Sequence, residues 1–222
     1  MPSGAGGGSG GGDRMDDGHR LPTDTENGML LVISGPSGVG KTTITRAIER
    51  SIPDAVFSVS ATTRPKTDAD AEGVDYSFLS AEEFEARQAQ GEFLESAIYA
   101  GNRYGTLEAP VDAQLERGRL VILEIDVQGA VQVRAKRPDM FGVFILPPSE
   151  ETLLKRLRDR KREPEEVIQR RFGEARREIE QARTSGAYDA FIVNDELDRT
   201  ISDAIATVRK ERAARSADSG AR

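Results

Sequence analysis

The chain contains no cysteine, which excludes disulfide staples, thiolate nucleophiles and Cys-ligated zinc. It has one histidine, His19, set in a polar, Gly-rich stretch ahead of any patterned segment. The patterned region therefore offers no histidine as a base or metal ligand. No apolar run approaches the ~20 residues of a membrane span, and no signal-peptide core stands at the N-terminus. A cytoplasmic location and no membrane partner are the default expectations. Positive charge is also in deficit, with 31 Lys and Arg against 38 Asp and Glu and a net charge of −7. That balance argues against a nucleic-acid partner, although it permits a local basic site.

What is present falls into three zones along 222 residues, enough for one α/β domain with a sizeable core. Residues 1–28 are rich in Gly, Ser and Asp and nearly devoid of apolar side chains. They cannot bury enough surface to offset ordering entropy and are expected to be disordered. Residues 29–208 alternate strand-like and helix-like segments, and the polar end 209–222 is expected to fray. The strand candidates are 29–33, 55–60, 76–79, 93–99, 120–126, 141–146 and 190–193. Leu120-Val-Ile-Leu-Glu-Ile-Asp126 is almost continuously apolar, as a buried parallel strand should be. Helical patterns stand out at 81–90, 149–160, 164–184 and 195–210. Such alternation predicts a three-layer α/β fold around a parallel sheet.

Residues 35–42 read Gly35-Pro36-Ser37-Gly38-Val39-Gly40-Lys41-Thr42, a complete P-loop. A strand-like run precedes it and a helical pattern follows, which is the context the motif requires. Glycines let the backbone turn tightly, and a helix N-terminus presents N–H groups to phosphate. Lys41 is expected to neutralise the β- and γ-phosphates of ATP and Thr42 to sit on Mg²⁺. The strand ending in Glu124 and Asp126 should open onto the same crevice. A carboxylate there, taken as Asp126, is the second candidate metal ligand. Phosphoryl transfer suits a chain without a useful histidine, because it relies on positioning and charge neutralisation.

Several separated segments then carry a resemblance. They are Ser58-Val-Ser-Ala-Thr-Thr-Arg64, Glu72-Gly-Val-Asp-Tyr76-Ser-Phe78, Gly91-Glu-Phe-Leu-Glu95 and Gly101-Asn-Arg-Tyr104-Gly-Thr106, followed by Asp126-Val-Gln-Gly129 and Val193-Asn-Asp-Glu-Leu-Asp198. In this order, over about residues 30 to 200, the chain resembles the guanylate kinases. The resemblance implies a P-loop kinase fold with a small GMP-binding subdomain inserted at about 60–106 and a helical lid at about 155–177. It implies ATP and GMP as substrates and Mg²⁺ as cofactor. The oligomeric state is left open.

Residue by residue, the resemblance makes Glu95 the acceptor for the N1–H and N2–H₂ donors of guanine. Ser60 and Thr106 hydrogen-bond in that site, and Asp126 belongs to the GMP side as well. A carboxylate repels the N1 acceptor of adenine, and a bidentate base contact discriminates by roughly 1–3 kcal/mol. Arg64, Tyr76 and Tyr104 correspond to the residues that grip the GMP phosphate, for which an arginine fork is well shaped. Arg156, Arg160 and Arg171 fall on lid and catalytic arginines. They lie in a stretch, Lys155 to Arg177, with ten Lys or Arg against five Asp or Glu. A surface ion pair between Glu166 and Arg170 is expected there too. Asn194 and Asp195 match the edge of the adenine site.

The sequence departs from the family pattern in two places. After Arg64 it continues Pro65-Lys66-Thr67-Asp68-Ala69-Asp70, with Thr67 where a second phosphate-binding arginine is usual. Lys66 is the candidate substitute. The lid has Lys161-Arg162 where Gly-Thr is usual. Two other readings stay open at the level of sequence: a P-loop kinase for another small phosphate ester, and a non-catalytic binding module of guanylate-kinase-like fold.

Overall fold

The computed structural model describes residues 28–99, 101–159 and 164–219. The N-terminal segment with His19, the lid positions Arg160, Lys161 and Arg162, and the last three residues lie outside the described part. The elements are β1 (Met29–Ser34), α1 (Lys41–Ser51), β2 (Ala55–Phe57), β3 (Ala61–Thr62), β4 (Ser77–Phe78), α2 (Ala81–Ala89), β5 (Phe93–Tyr99), β6 (Asn102–Leu107), α3 (Glu108–Leu115), β7 (Leu120–Glu124), α4 (Val127–Lys136), β8 (Phe141–Leu146), α5 (Glu150–Asp159), α6 (Glu165–Thr184), β9 (Ala190–Val193) and α7 (Leu197–Ser219).

Five strands form one parallel sheet in the order β2-β7-β1-β8-β9. The central strand β1 is buried along its whole length. Its side chains alternate between two apolar layers, because successive strand residues point to opposite faces. Met29, Leu31 and Ile33 pack with Ile44 and Ile48 of α1 and with Ala204 and Val208 of α7. Leu30 and Val32 pack on the other face with Val111, Val127, Ala130, Val133 and Ala182 from α3, α4 and α6. The result is three layers. The register pairs Ile33 of β1 with Glu124 of β7, so the P-loop and the acidic strand end emerge side by side at one edge of the sheet.

Between β2 and α3 the chain builds a second, four-stranded sheet in the order β4-β3-β6-β5. A small core beneath it holds Ala61, Phe84 and Phe93, with the two phenyl rings stacked at 4.4 Å. Helix α2 is fixed at its start by a capping box, Ser80 with Glu83. A further core, Leu153, Leu157, Ile168 and Ala175, joins α5 to α6. Lys136 of α4 donates to the carbonyl of Phe93, and Gln132 exchanges hydrogen bonds with the backbone of Ser96. These contacts tie the second sheet to the first.

The expectation that the end of the chain frays from Arg209 is overturned, because α7 continues to Ser219. Its polar side chains find partners that hydropathy does not reveal. Arg209 donates to the carbonyl of Ser51 at 3.1 Å. Arg212 forms a bidentate pair with Asp54, at 2.9 and 2.6 Å. Arg215 pairs with Glu211 one turn back, at 2.7 Å. The expected Glu166–Arg170 pair is also replaced, since Arg170 turns toward Glu174 at 4.0 Å.

The Arg212–Asp54 pair is nearly dry, with side-chain exposures of 17% and 6%. Removing one partner leaves a buried charge. Arg212→Ala should lower stability by about 2 kcal/mol, somewhat under the value for a fully buried pair. That corresponds to a fall in Tm of roughly 4–8 °C for a domain of this size. Thermal unfolding followed by circular dichroism checks it; an unchanged Tm would mean that the last turns of α7 add nothing.

Candidate phosphate and acceptor site

The P-loop leaves β1 at Ser34 and enters α1 at Lys41. Two glycines in it are required by space as well as by backbone. Gly35 has φ +155° and a side chain there would meet the carbonyl oxygen of Ile145 at 2.6 Å; Gly40 has φ +97° and would press on Nδ2 of Asn194 at 2.8 Å. Gly40 is the N-cap of α1 and supplies no side-chain cap. The first N–H groups of α1 thus point outward without a side-chain oxygen, as an anion site needs. Lys41 folds back and donates from Nζ to the Gly35 carbonyl at 2.5 Å.

Thr42 reaches across to the adjacent strand and donates to Oε1 of Glu124 at 2.7 Å. Strand β7 ends at Glu124, and Asp126 begins α4, where its carboxylate accepts from the backbone N–H of Gly129 at 2.8 Å. The acid on the P-loop is Glu124, because register with Ile33 places it opposite the start of α1. Asp126 faces the neighbouring cleft instead.

That cleft, about 490 Å³, is lined by Ser37 and Lys41 of the P-loop together with Ser60, Tyr76, Glu95 and Tyr104. Glu95 is only 6% exposed. It comes from β5, just past a bulge between Phe93 and Glu95, and a bulge re-aims a side chain. Thr106, opposite it on β6, donates to Glu95 Oε1 at 2.7 Å. Gly129 makes room for the other oxygen, since a Cβ there would stand 3.1 Å from Oε2. Burial pushes the Glu95 carboxyl above the usual range, the hydrogen bond from Thr106 opposes the shift, and the charge of Asp126 adds to it.

Tyr76 and Tyr104 meet edge to face at 5.9 Å at the cleft mouth. Arg64 lies over the rings of Tyr76 and Phe78, at 5.2 and 5.4 Å, and is paired with Asp70 at 2.8 Å. Lys66 is exposed, 5.9 Å from the Phe78 ring, and Thr67 supplies a hydroxyl to Asp70.

The arginines do not act as one group. Arg171 of α6 donates to the hydroxyl of Ser37 in the P-loop. Arg156 of α5 donates from Nη2 to the carbonyl of Asn194 at 2.9 Å and, less closely, to that of Asp195 at 3.4 Å. Its Nη1 is buried and has no partner among the described residues. Asn194 is buried too and donates from Nδ2 to the carbonyl of Val39 at 2.7 Å, so it braces the P-loop from behind.

Sequence reading missed Glu178. It lines the cleft from α6; burial raises its carboxyl pKa, Lys41 opposes that, and Asp126 and Glu174 add to it. The signal was spacing: Glu178 stands seven residues after Arg171, two helical turns along the same face. Thr42 and Glu124 offer hard oxygen ligands that suit a magnesium ion, which takes few protein ligands and fills the rest with phosphate and water.

The sequence model of the guanylate kinase family matches residues 27–211. A guanylate kinase of Anaeromyxobacter dehalogenans is 48% identical over 194 residues, covering 87% of this chain and 83% of the relative. That of Myxococcus xanthus is 44% identical over 188 residues, covering 85% and 89%. The crystal structure of guanylate kinase from Anaplasma phagocytophilum superposes with a TM-score of 0.64 at 32% identity, covering 85% and 88%.

The buried Glu95 carboxylate sets a pH test. Its ordinary value lies near 4.5, and in the fold it is raised. The neutral form is favoured by folding, so the contribution of Glu95 to stability is full below about pH 4.5 and is lost as pH rises through the raised value. Glu95→Gln removes that loss. The variant should melt higher than wild type at pH 8, and the gap should shrink as the pH falls toward 4. A constant gap across that range would show that Glu95 ionises without a burial cost.

Proposed function

The chain belongs to the guanylate kinase family, and from that premise we infer that it transfers the γ-phosphoryl group of ATP to GMP, giving ADP and GDP. The observation that carries the residue assignment is a cleft that Gly35, Ser37 and Lys41 of the P-loop line together with the buried Glu95 carboxylate. A kinase for a sugar phosphate has no use for a dry carboxylate facing a base. A non-catalytic module has no use for an intact Gly40-Lys41-Thr42.

On this reading ATP takes the P-loop. The outward N–H groups at the start of α1 hold its phosphates, and Lys41 leaves the Gly35 carbonyl to track the β- and γ-phosphates. Asn194 and Asp195 are assigned to the donor nucleotide from the family pattern, and Arg156 is tied to both through their carbonyls. A buried donor without an acceptor, such as its Nη1, costs about 1–3 kcal/mol, which a phosphate or base acceptor would relieve. Thr42 and Glu124 would hold Mg²⁺, which would supply positive charge to the terminal phosphates.

GMP takes the other end. Glu95 accepts from guanine N1–H and N2–H₂, with Ser60 and Thr106 as further partners and Asp126 beside them. Arg64, Tyr76 and Tyr104 hold its phosphate, and Lys66, which shares the Phe78 ring with Arg64, adds a second cation. The acceptor needs no general base, because the second pKa of a phosphate monoester is near ~6 and its oxygen is already largely ionised at neutral pH. Arg171, on the P-loop side, stabilises charge on the transferring group, and Arg160 is assigned the same task from the family pattern alone.

Two variants test the two ends. Lys41→Ala should lower kcat by roughly 100-fold or more, the scale of losing one transition-state donor. Glu95→Gln should cut kcat/KM for GMP by about 10- to 100-fold and leave the KM for ATP near wild type. Steady-state ADP release measures both. GMP kinetics unchanged in Glu95→Gln would remove Glu95 from the base site.

A further inference from the structure

Asp70 is the most heavily engaged acid in the loop that carries the first departure from the family pattern. Its Oδ1 accepts from Arg64 Nη2 at 2.8 Å and its Oδ2 from Arg64 Nη1 at 3.1 Å. The same Oδ2 takes the backbone N–H and the hydroxyl of Thr67, each at 2.7 Å. Arg64 and then Thr67 hold the Asp70 carboxyl well below the usual carboxylate range. Thr67 occupies the place of the usual second arginine. It brings no charge there, and both its donors go to Asp70.

Counting the donors of Arg64 shows what this accomplishes. A guanidinium carries five N–H groups in a fixed plane. Nη1 spends one on Asp70 and one on the carbonyl of Pro65, at 3.1 Å, and Nη2 spends one on Asp70. Among the described residues the two left over are Nε–H and the second N–H of Nη2. They lie parallel along one edge, the fork that matches two oxygens of a phosphate. The rings of Tyr76 and Phe78 flank the group. The anion thus grips the end of the guanidinium and leaves its side open.

We propose that Asp70 is a positioning residue for Arg64: it clamps the terminal edge of the guanidinium, with Thr67 as its brace, and so presents the Nε/Nη2 edge to the phosphate of the acceptor nucleotide. The proposal rests on the reading of Arg64 as a phosphate-gripping residue. It has a definite sign. A carboxylate near a phosphate is electrostatically unfavourable, so Asp70 can aid binding only by ordering Arg64. Were it a latch that competes with phosphate, its removal would tighten binding.

The test is steady-state kinetics of the full chain with GMP and ATP for Asp70→Ala, Asp70→Asn, Asp70→Glu, Arg64→Ala and the Arg64→Ala/Asp70→Ala pair. Asp70→Ala should raise the KM for GMP about 10-fold and leave the KM for ATP unchanged. The isosteric Asp70→Asn, which preserves the loop, should raise it less, and Asp70→Glu should restore most of the loss. In the Arg64→Ala background Asp70→Ala should add nothing, because the residue acts through Arg64. An unchanged or lower KM in both Asp70→Ala and Asp70→Asn overturns the clamp. An undiminished rise in the Arg64→Ala background also overturns it, by assigning Asp70 to loop structure. If Arg64→Ala itself leaves the KM for GMP unchanged, the phosphate reading of Arg64 fails first, and the clamp falls with it.

Discussion

Helix α1 begins behind Gly40, which offers no side-chain oxygen to its first N–H groups. A helix end of this kind leaves donors unsatisfied and a partial positive charge exposed. The neighbouring structure preserves that condition. Asn194 holds the loop through the Val39 carbonyl, and Lys41 bends back onto Gly35. Register between β1 and β7 sets Glu124 against Thr42 without letting it cap the helix. The site is built so that an anionic ligand completes it.

The acceptor side follows the opposite logic, because there the protein supplies the negative charge. Glu95 is buried among Thr106, Gly129 and Asp126, and burial holds its carboxyl above the usual range. Such a group lowers stability at neutral pH in exchange for a dry acceptor, and a dry acceptor discriminates strongly between a base with donors and one without. Lys41 and Ser37, the partner of Arg171, line one cleft with Glu95, Glu124, Asp126 and Glu178. Phosphoryl transfer can then proceed by neutralisation and alignment.

Much of this was legible in the sequence for physical reasons. The P-loop is contiguous, so eight residues declare their own geometry. The parallel core strands are nearly all apolar, and Leu120 to Glu124 reads as what it is. The family resemblance supplied Glu95, Tyr76 and Tyr104, whose types alone say little. Other features depend on contacts between distant residues. Strand β7 stops at Glu124, two residues before its expected end, and Glu124 is the acid that Thr42 meets. The two-residue β3 and the strand β6 lack a hydrophobic pattern and are held by pairing. The final turns of α7 are polar and are secured by Asp54 and Ser51, more than 150 residues earlier. The role of Asp70 rests on its bonds to Arg64 and Thr67, which no local pattern encodes.

The central claim is that one cleft joins a triphosphate donor to a base with two adjacent donors. ADP release measured with ATP and, in turn, GMP, AMP, UMP and a ribose phosphate tests it most directly. The account predicts robust turnover with GMP and, for AMP, a kcat/KM lower by at least the 10- to 100-fold that a lost bidentate base contact implies. Turnover with AMP or a ribose phosphate equal to that with GMP would contradict it.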